Sequence, residues 1–300
     1  MLLKVTGGGL PLVVDSQPAR RQGLLISYAE TAEALKQGGK RHPELAETID
    51  LYCAILEIQG KAQVPSRRLT LTAAEARARL EQGNPLMAPD ELEADPAALA
   101  ELCFRIAFAI AERNRDRVNV LARIHAWLHK RQGEAGALAA DYLRNGHLPA
   151  VDQDVDSGLL AFVFTTGLRP FLRARAEELM PFVDDSAWYR RYCPICGGEP
   201  DMAALEKDSG RRRLLCSRCD HEWTFRRLGC PFCANEDPAQ LAYYPTDDNI
   251  YRLTVCEQCR RYLKTIDLRE AAGERHLTAE RILTVGMDVA AEKAGYRAGP

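Results

Sequence analysis

Apolar residues recur at helical spacing through most of the first 185 residues of the chain. Pro43 opens one such segment, and Pro96 suits the first turn of another helix. Thr70 or Thr72 precedes a third run, and Glu75 is placed for a capping box with Thr72. Because strand signals are few here, the pattern predicts a bundle of roughly six to eight helices. The apolar stripes are formed by Leu45, Ile49, Tyr52 and Leu56, by Leu99, Cys103, Ile106 and Ile110, and by Val118, Leu121, Ile124 and Leu128.

A further long helical pattern runs from Ser157 to Leu179, and Gly167 and Pro170 predict a break within it. Between Trp188 and Leu268 the pattern changes, because Cys, Gly, Pro and Arg become frequent and the apolar runs become short. Two of these runs, Leu214-Leu215 and 251–255, are typical of strands. So few large aliphatic side chains could hardly fold this region by burial alone, which favours stabilisation by metal.

We therefore expect a mainly α N-terminal helical domain, two small rubredoxin-like or zinc-ribbon β modules, and a C-terminal helical tail. The expected ranges are 1–185 for the helical domain, 186–226 and 227–268 for the two four-cysteine ribbon modules, and 269–300 for the tail. The apolar residues of the tail are expected to pack back on the helical domain, and they are Leu277, Ile282, Leu283, Val285 and Val289.

Composition limits the classes of function. The 300 residues carry a net charge of −2, which gives no overall attraction to nucleic acid or to an anionic membrane. No apolar run reaches the roughly 18 residues that a membrane span needs. The N-terminus has no convincing cleavage site, and the Arg20-Arg21 pair lacks the long apolar region of a twin-arginine export signal. We therefore expect a cytoplasmic protein, in which paired cysteines serve as ligands rather than disulfides.

Eight of the ten cysteines form four Cys-x-x-Cys pairs within 67 residues. Four thiolates complete the tetrahedral coordination of one ion, so four pairs predict two metal sites. The other two cysteines, Cys53 and Cys103, lie in apolar helical patterns and are expected to be small buried residues. The predicted ligands are Cys193, Cys196, Cys216, Cys219, Cys230, Cys233, Cys256 and Cys259.

An internal repeat decides how we group the ligands. Cys193-Pro194-Ile195-Cys196 resembles Cys230-Pro231-Phe232-Cys233, and each is followed by a second pair. The repeat favours sequential grouping, with the first two pairs on one ion and the last two on the other. A cross-brace, with the first and third pairs on one ion, is the alternative that the ligand rules also allow. Glycine follows the first knuckle at Gly197, whereas the second has Ala234-Asn235, where asparagine tolerates left-handed geometry.

Residue chemistry leaves the ion open, since zinc and iron both accept four thiolates. Four cysteines per site leave no position for water or substrate, so we predict no metal-centred catalysis and no enzyme. Seven nearby arginines are candidates to offset the negative charge of the sites, although solvation is an equally good interpretation of them. They are Arg211, Arg212, Arg213, Arg226, Arg227, Arg260 and Arg261.

Several other motifs are weaker. His125 and His129 have the i, i+4 spacing of a metal site but no glutamate between them in the metalloprotease pattern. His221 follows Cys219 closely, and we interpret it as a neighbour of the site rather than a ligand. Gly7-Gly8-Gly9 lacks the Lys-Ser/Thr of a phosphate loop. The aromatic residues near the ligands are expected to form the small cores of the ribbons, with base stacking as the alternative. They are Trp223, Phe225, Tyr243, Tyr244, Tyr251 and Tyr262.

The residues around the ligands resemble a known family, the formate dehydrogenase accessory proteins of the FdhE type. The resemblance covers about 80 residues and rests on 192–197, on 215–219 with Trp223, on 227–233 and on 252–265. It implies a cytoplasmic, chaperone-like factor needed for active respiratory formate dehydrogenase. Such factors contact the catalytic subunit of that molybdenum or tungsten enzyme before its export by the twin-arginine route. Rubredoxin-like centres in the family imply two mononuclear ions, with iron favoured over zinc.

Two other classes of function stay open. A zinc-ribbon nucleic-acid binder would need a basic face, whereas the charges around the first module are nearly balanced. A rubredoxin-like electron carrier would need a metal couple near the surface. Metal analysis and a visible spectrum of anaerobically prepared protein would separate these possibilities.

Overall fold

The fold is given by a computed structural model that describes residues 25–65, 69–149 and 153–299. The Gly7-Gly8-Gly9 segment and the Arg20-Arg21 pair lie outside these ranges. Within them the α-helices are α1 (Tyr28–Gly39), α2 (Ala46–Gly60), α3 (Ala73–Glu81), α4 (Pro96–Arg113), α5 (Val118–Lys130), α6 (Ala135–Asn145), α7 (Ser157–Leu179), α8 (Leu277–Leu283) and α9 (Val285–Lys293). The strands are β1 (Pro200–Leu205), β2 (Arg212–Cys216), β3 (Glu222–Phe225), β4 (Leu241–Pro245), β5 (Tyr251–Cys256) and β6 (Arg261–Asp267).

Helix starts follow the capping signals of the sequence. The hydroxyl of Thr72 accepts a hydrogen bond from the backbone N–H of Glu75, and the Glu75 carboxylate accepts one from the N–H of Thr72, so the predicted capping box is confirmed. Pro96 is the first residue of α4, and the Asp95 carboxylate caps that helix by accepting from Ala98. Seven α-helices precede the sheet in the described residues, which agrees with the expected bundle.

The expected break in the long helix is wrong, because α7 runs without interruption through Gly167 and Pro170. A Cβ at Gly167 would lie 2.7 Å from the sulfur of Cys103 on α4, so the glycine lets the two helices approach closely. Pro170 is buried, and the burial of both faces of α7 stabilises the helix enough to tolerate the proline. Cys103 is fully buried as expected, whereas Cys53 is only half-buried.

The strands of both ribbon modules form one mixed six-stranded sheet in the order β3-β2-β1-β6-β5-β4. The two modules meet where β1 pairs in parallel with β6, from Met202 opposite Lys264 to Leu205 opposite Asp267. Leu214-Leu215 lies in β2 and residues 251–255 lie in β5, as the pattern predicts. The sequence suggests two separate modules, whereas the pairing of β1 with β6 joins their strands into one sheet. The boundaries between the modules stay a prediction.

The C-terminal tail returns to the helical domain through α8. Leu283 packs with Leu35, Ile49 and Leu56, and a Cβ on Gly38 would lie 2.2 Å from a methyl carbon of Leu283. The last helix, α9, lies against β6. Val289 on that helix is 49% exposed, so the expectation that it packs is wrong. No described helix is both long and apolar enough to cross a bilayer.

Candidate metal centres

The first cysteine group, which we call site 1, lies at the junction of sheet and helices. Its sulfur atoms are 3.6 Å apart for Cys193 and Cys219 and 3.5 Å apart for Cys196 and each of Cys216 and Cys219. All four atoms lie within 4.8 Å of one another, and three of the four residues are fully buried. The structure thus collects the first two predicted pairs in one place.

The second group, site 2, contains the last two pairs. The sulfur atoms of Cys230 and Cys259 are 3.7 Å apart, as are those of Cys233 and Cys256. All four again lie within 4.8 Å of one another. Cys233 and Cys259 are only half-buried. The grouping in the structure is therefore sequential, and the cross-brace does not form.

The donor set fits one ion per group. A tetrahedral ion with metal–sulfur bonds of about 2.3 Å has sulfur–sulfur edges of about 3.8 Å. The observed separations of 3.5–3.7 Å are close to that value and far from the roughly 2.0 Å of a disulfide. Each group could therefore hold one metal ion, with every ligand supplied by cysteine.

Backbone N–H groups point at the sulfurs in three of the knuckles. The N–H groups of Ile195, Arg218 and Phe232 each donate to the first sulfur of their own pair over 3.4 Å. Such bonds stabilise negative charge on sulfur and orient the ligand. They therefore favour thiolates over thiols at these positions.

All four knuckles end with a residue in the left-handed region of φ. These residues are Gly197 (φ 70°), Asp220 (φ 60°), Ala234 (φ 63°) and Arg260 (φ 55°). Left-handed backbone costs roughly 1–2 kcal/mol for a residue with a Cβ, so only the first knuckle avoids the strain. Asn235 does not take the role that the sequence suggested; its side-chain amide lies 3.7 Å from the sulfur of Cys256 instead.

Burial creates a need for a cation at site 1. It raises the pKa of the Cys193 and Cys219 thiols well above their ordinary range, because a buried thiolate loses its hydration. Hydrogen bonds from the neighbouring cysteines lower the pKa of Cys196 instead, so the four sulfurs do not all ionise by themselves. Four buried sulfurs can all be thiolates only when a metal ion balances their charge.

The chain is similar to several known proteins in sequence and in fold. The chain is 24% identical over 263 residues to an FdhE homolog of Aquifex aeolicus (strain VF5), a match that covers 86% of this chain and 88% of the relative. It is 31% identical over 111 residues to FdhE proteins of Escherichia coli strains, about a third of each chain. The crystal structure of the FdhE protein from Pseudomonas aeruginosa superposes with a TM-score of 0.61 and 22% identity, covering 90% of this chain and 92% of that one. The chain is thus similar to FdhE proteins in sequence and in fold. No family model matches it.

Site 1 is held by the backbone of the helical domain. The N–H groups of Leu86 and Met87 donate to the carbonyls of Pro194 and Ile195, over 2.8 and 2.9 Å. The hydroxyl of Tyr192 donates to the carbonyl of Gly83 over 2.6 Å. The loop between α3 and α4 is thus hydrogen-bonded to the first knuckle of the site.

Asp220 links the second knuckle of site 1 to two distant helices. Its carboxylate, 4% exposed, accepts from Arg169 and Arg173 of α7 and from Arg281 of α8. Arg281 also donates to the carbonyl of Cys216, over 3.0 Å. Burial alone would raise the pKa of Asp220, but the three guanidinium groups hold it below its usual range. Sequence reasoning missed this cluster, because its members are 47 to 61 residues apart.

Site 2 is held by the ribbon segments and by the end of the C-terminal tail, where the N–H of Arg297 donates to the carbonyl of Arg260 over 2.8 Å. Arg191 donates to the carbonyl of Phe232, and the N–H of Glu257 donates to the carbonyl of Gln240 over 2.9 Å. The guanidinium of Arg261 lies 3.9 Å from the centre of the Phe232 ring. Cys233 and Cys259 are only half-buried, so site 2 lies near the surface, at the end of the sheet where β4 and β5 lie.

Five of the seven candidate arginines are paired with carboxylates and so have little charge to offer the sites. The pairs are Arg211–Glu206, Arg213–Asp185, Arg226–Glu236, Arg260–Glu257 and Arg261–Glu199. Arg227 is exposed, and Arg212 is 4% exposed. Sequence reasoning also missed Arg218, which lies between the ligands Cys216 and Cys219 in the sequence.

The weaker motifs do not assemble into a further site. In the described residues, the two cysteine groups are the only clusters of three or more potential ligands. The rings of His125 and His129 instead pack against Phe104, with centroids 4.3 and 6.3 Å away. His221 is buried, and burial lowers its pKa to about 4. Of the aromatic residues, Trp223, Phe225, Tyr251 and Tyr262 are buried, whereas Tyr243 and Tyr244 are exposed.

Proposed function

We propose that this chain is a member of the FdhE family, acts as a cytoplasmic accessory factor for respiratory formate dehydrogenase and docks on its catalytic subunit. The observation that carries the proposal is the similarity to an FdhE homolog over 86% of the chain, together with two complete four-cysteine groups. The chain acts as a binding protein rather than a catalyst. Four cysteine ligands at each group leave no coordination position for substrate.

The residues around the sites support a structural contribution to docking. The eight cysteines would hold the ions, and the bound ions would cross-link the ends of the sheet. Asp220 then fixes the sheet to α7 and α8 through its arginines. A sheet and a helical domain held in one arrangement offer the partner a surface that needs little ordering on binding.

Docking is tested by co-purification of the tagged chain with the formate dehydrogenase catalytic subunit, and by respiratory formate oxidation in a deletion strain. The wild-type gene should restore oxidation, and Cys216→Ser should not. The matched control is Cys53→Ser, because Cys53 lies outside both groups. Normal formate oxidation in the deletion strain would refute the proposed function.

We propose iron as the ion at both sites, with zinc as the alternative. Metal analysis and the visible spectrum of anaerobically purified protein should show two ions per chain and the absorption of ferric thiolate. A colourless protein with two zinc ions would reject iron and leave the accessory function standing.

A rubredoxin-like electron carrier is the second candidate, and the partial exposure of Cys233 and Cys259 favours it. Iron at site 2 would lie near enough to the surface for electron transfer to a partner. A reversible colour change on reduction, confined to site 2, would support this function. A zinc-only protein would exclude it.

A further inference from the structure

We propose that Arg212 and Arg218 are the counter-cations of the two four-cysteine centres, with Arg218 serving site 1 and Arg212 serving site 2. Each guanidinium would balance part of the negative charge of its tetrathiolate and so slow the release of its ion. The inference rests on the metal-binding role proposed above and adds residues that are not ligands.

Arg212 is a buried guanidinium whose charge no described carboxylate balances. It lies on β2 with 4% of its surface exposed, and it donates to the carbonyl of Gly229 over 3.0 Å. Its second terminal nitrogen has no hydrogen-bond partner among the described residues. Gly229, whose carbonyl it binds, directly precedes the ligand Cys230, so the guanidinium lies beside site 2.

Arg218 has the same relation to site 1. Its side chain donates to the carbonyl of Leu143 over 3.1 Å and lies 5.1 Å from the centre of the Tyr142 ring. Its Nε atom is buried without a hydrogen-bond partner among the described residues. A Cβ on Gly198 would lie 2.8 Å from the Cys216 sulfur and 2.9 Å from the Arg218 Cδ atom, so the Arg218 side chain passes beside this ligand of site 1.

The two features, a buried cation and a buried anionic centre, are each unfavourable alone. Four thiolates around a divalent ion carry a net charge of −2, and an unbalanced buried charge loses its hydration without compensation. Placing the guanidinium beside the tetrathiolate offsets both costs. Partners of this kind typically change metal affinity by 10- to 100-fold when removed.

Arg227 provides a control for the effect of the Arg212 charge on site 2. Arg227 is closer in sequence to Cys230 than Arg212 is, yet it is exposed to solvent. Solvent screens an exposed charge, so Arg227 should contribute little to site 2. Arg227→Met is therefore the matched control for Arg212→Met.

The test uses the full chain reconstituted with two zinc ions and challenged with a chelator. Alkylation of the cysteines that become free, followed by peptide mapping, reports the release of each ion separately. Arg212→Met should speed release from site 2 about tenfold and leave site 1 unchanged, and Arg218→Met should do the reverse. Arg227→Met should behave as wild type.

Lysine variants separate charge from packing. Arg212→Lys and Arg218→Lys keep the charge and should retain most of the wild-type protection. Equal release from the methionine and wild-type chains, or lysine variants as fast as methionine variants, would overturn the proposal. Failure of the wild-type chain to bind two ions would instead refute the metal-binding role itself.

Discussion

Sites 1 and 2 contain the same donor set and the same knuckle backbone but differ in what surrounds them. Site 1 is buried and is bonded to the loop before α4, to α7 and to α8. Site 2 has two half-buried cysteines and is bonded to the ribbon segments and to the end of the C-terminal tail. Equal ligands can therefore serve different roles, since the surroundings decide how far the effect of an ion extends.

This difference in surroundings predicts which part of the fold each ion would stabilise. Loss of the ion at site 1 should disturb the contacts of Asp220 and hence the docking of the sheet on the helices. Loss of the ion at site 2 should disturb β4 to β6 and the end of the C-terminal tail, and should leave α7 and α8 in place.

Loss of a ligand should have the largest effect. Cys216→Ser and Cys256→Ser should each release about one ion, and a structural site of this kind contributes on the order of 10 kcal/mol. Metal analysis gives the stoichiometry, and hydrogen exchange locates the damage. Cys216→Ser should expose amides in α7 and α8, whereas Cys256→Ser should leave α7 protected. Release of both ions by either variant would contradict sequential grouping.

Asp220→Asn should cause the second-largest loss of stability, because it leaves three arginines around a neutral side chain. Removal of one partner from a buried charge cluster costs roughly 3–5 kcal/mol, measurable by urea unfolding. The control is Glu236→Gln, which breaks the exposed pair with Arg226 near site 2 and should change stability little. Equal stability of the two variants would mean that Asp220 does not connect site 1 to the helices.

Gly198→Ala should weaken site 1 selectively. A Cβ there would lie 2.8 Å from the Cys216 sulfur and 2.9 Å from the Arg218 Cδ atom, so the ligand must shift. Overpacking of this kind costs roughly 1–3 kcal/mol. Asn235 occupies the equivalent place at site 2 and already carries a side chain, so Asn235→Ala should cost less. Chelator competition on both variants gives the comparison, and a larger loss for Asn235→Ala would contradict it.

Ala234→Gly should have the smallest effect and the opposite sign. Ala234 holds φ at 63°, whereas the equivalent residue of site 1 is already Gly197. Glycine removes the left-handed strain and should stabilise site 2 by about 1 kcal/mol. Metal retention at site 2 should rise slightly in chelator competition. Weaker retention would show that the Cβ of Ala234 contributes contacts worth more than the strain.

The parts of the site that depend on local spacing were predictable. Two residues between cysteines suffice to turn both sulfurs toward one ion, and the repeated Cys-Pro-x-Cys motif indicated sequential groups. The left-handed residues Asp220, Ala234 and Arg260 were not predictable, because glycine is the usual signal for that backbone and none of them is glycine. The convergence of the four sulfurs overrides the local preference at these positions.

The parts that depend on distant contacts were not predictable. The Met202-Ala203-Ala204-Leu205 run in β1 has no strand pattern; it pairs with β2 on one side and, on the other, with β6, 62 residues later. Asp220 and Arg281 are 61 residues apart, and neither has a local signal for the other. The helix cap at Thr72 was predicted correctly, because capping depends only on residues within one helical turn.

The central claim, that site 1 rather than site 2 connects the sheet to the helical domain, is tested most directly by stepwise chelation of the wild-type protein. Peptide-resolved alkylation identifies the cysteines freed at each step, and hydrogen exchange is followed in α7. We predict that the first ion leaves site 2 while α7 stays protected, and that α7 opens with the second. Early release from site 1, or opening of α7 with the loss of site 2, would contradict the account.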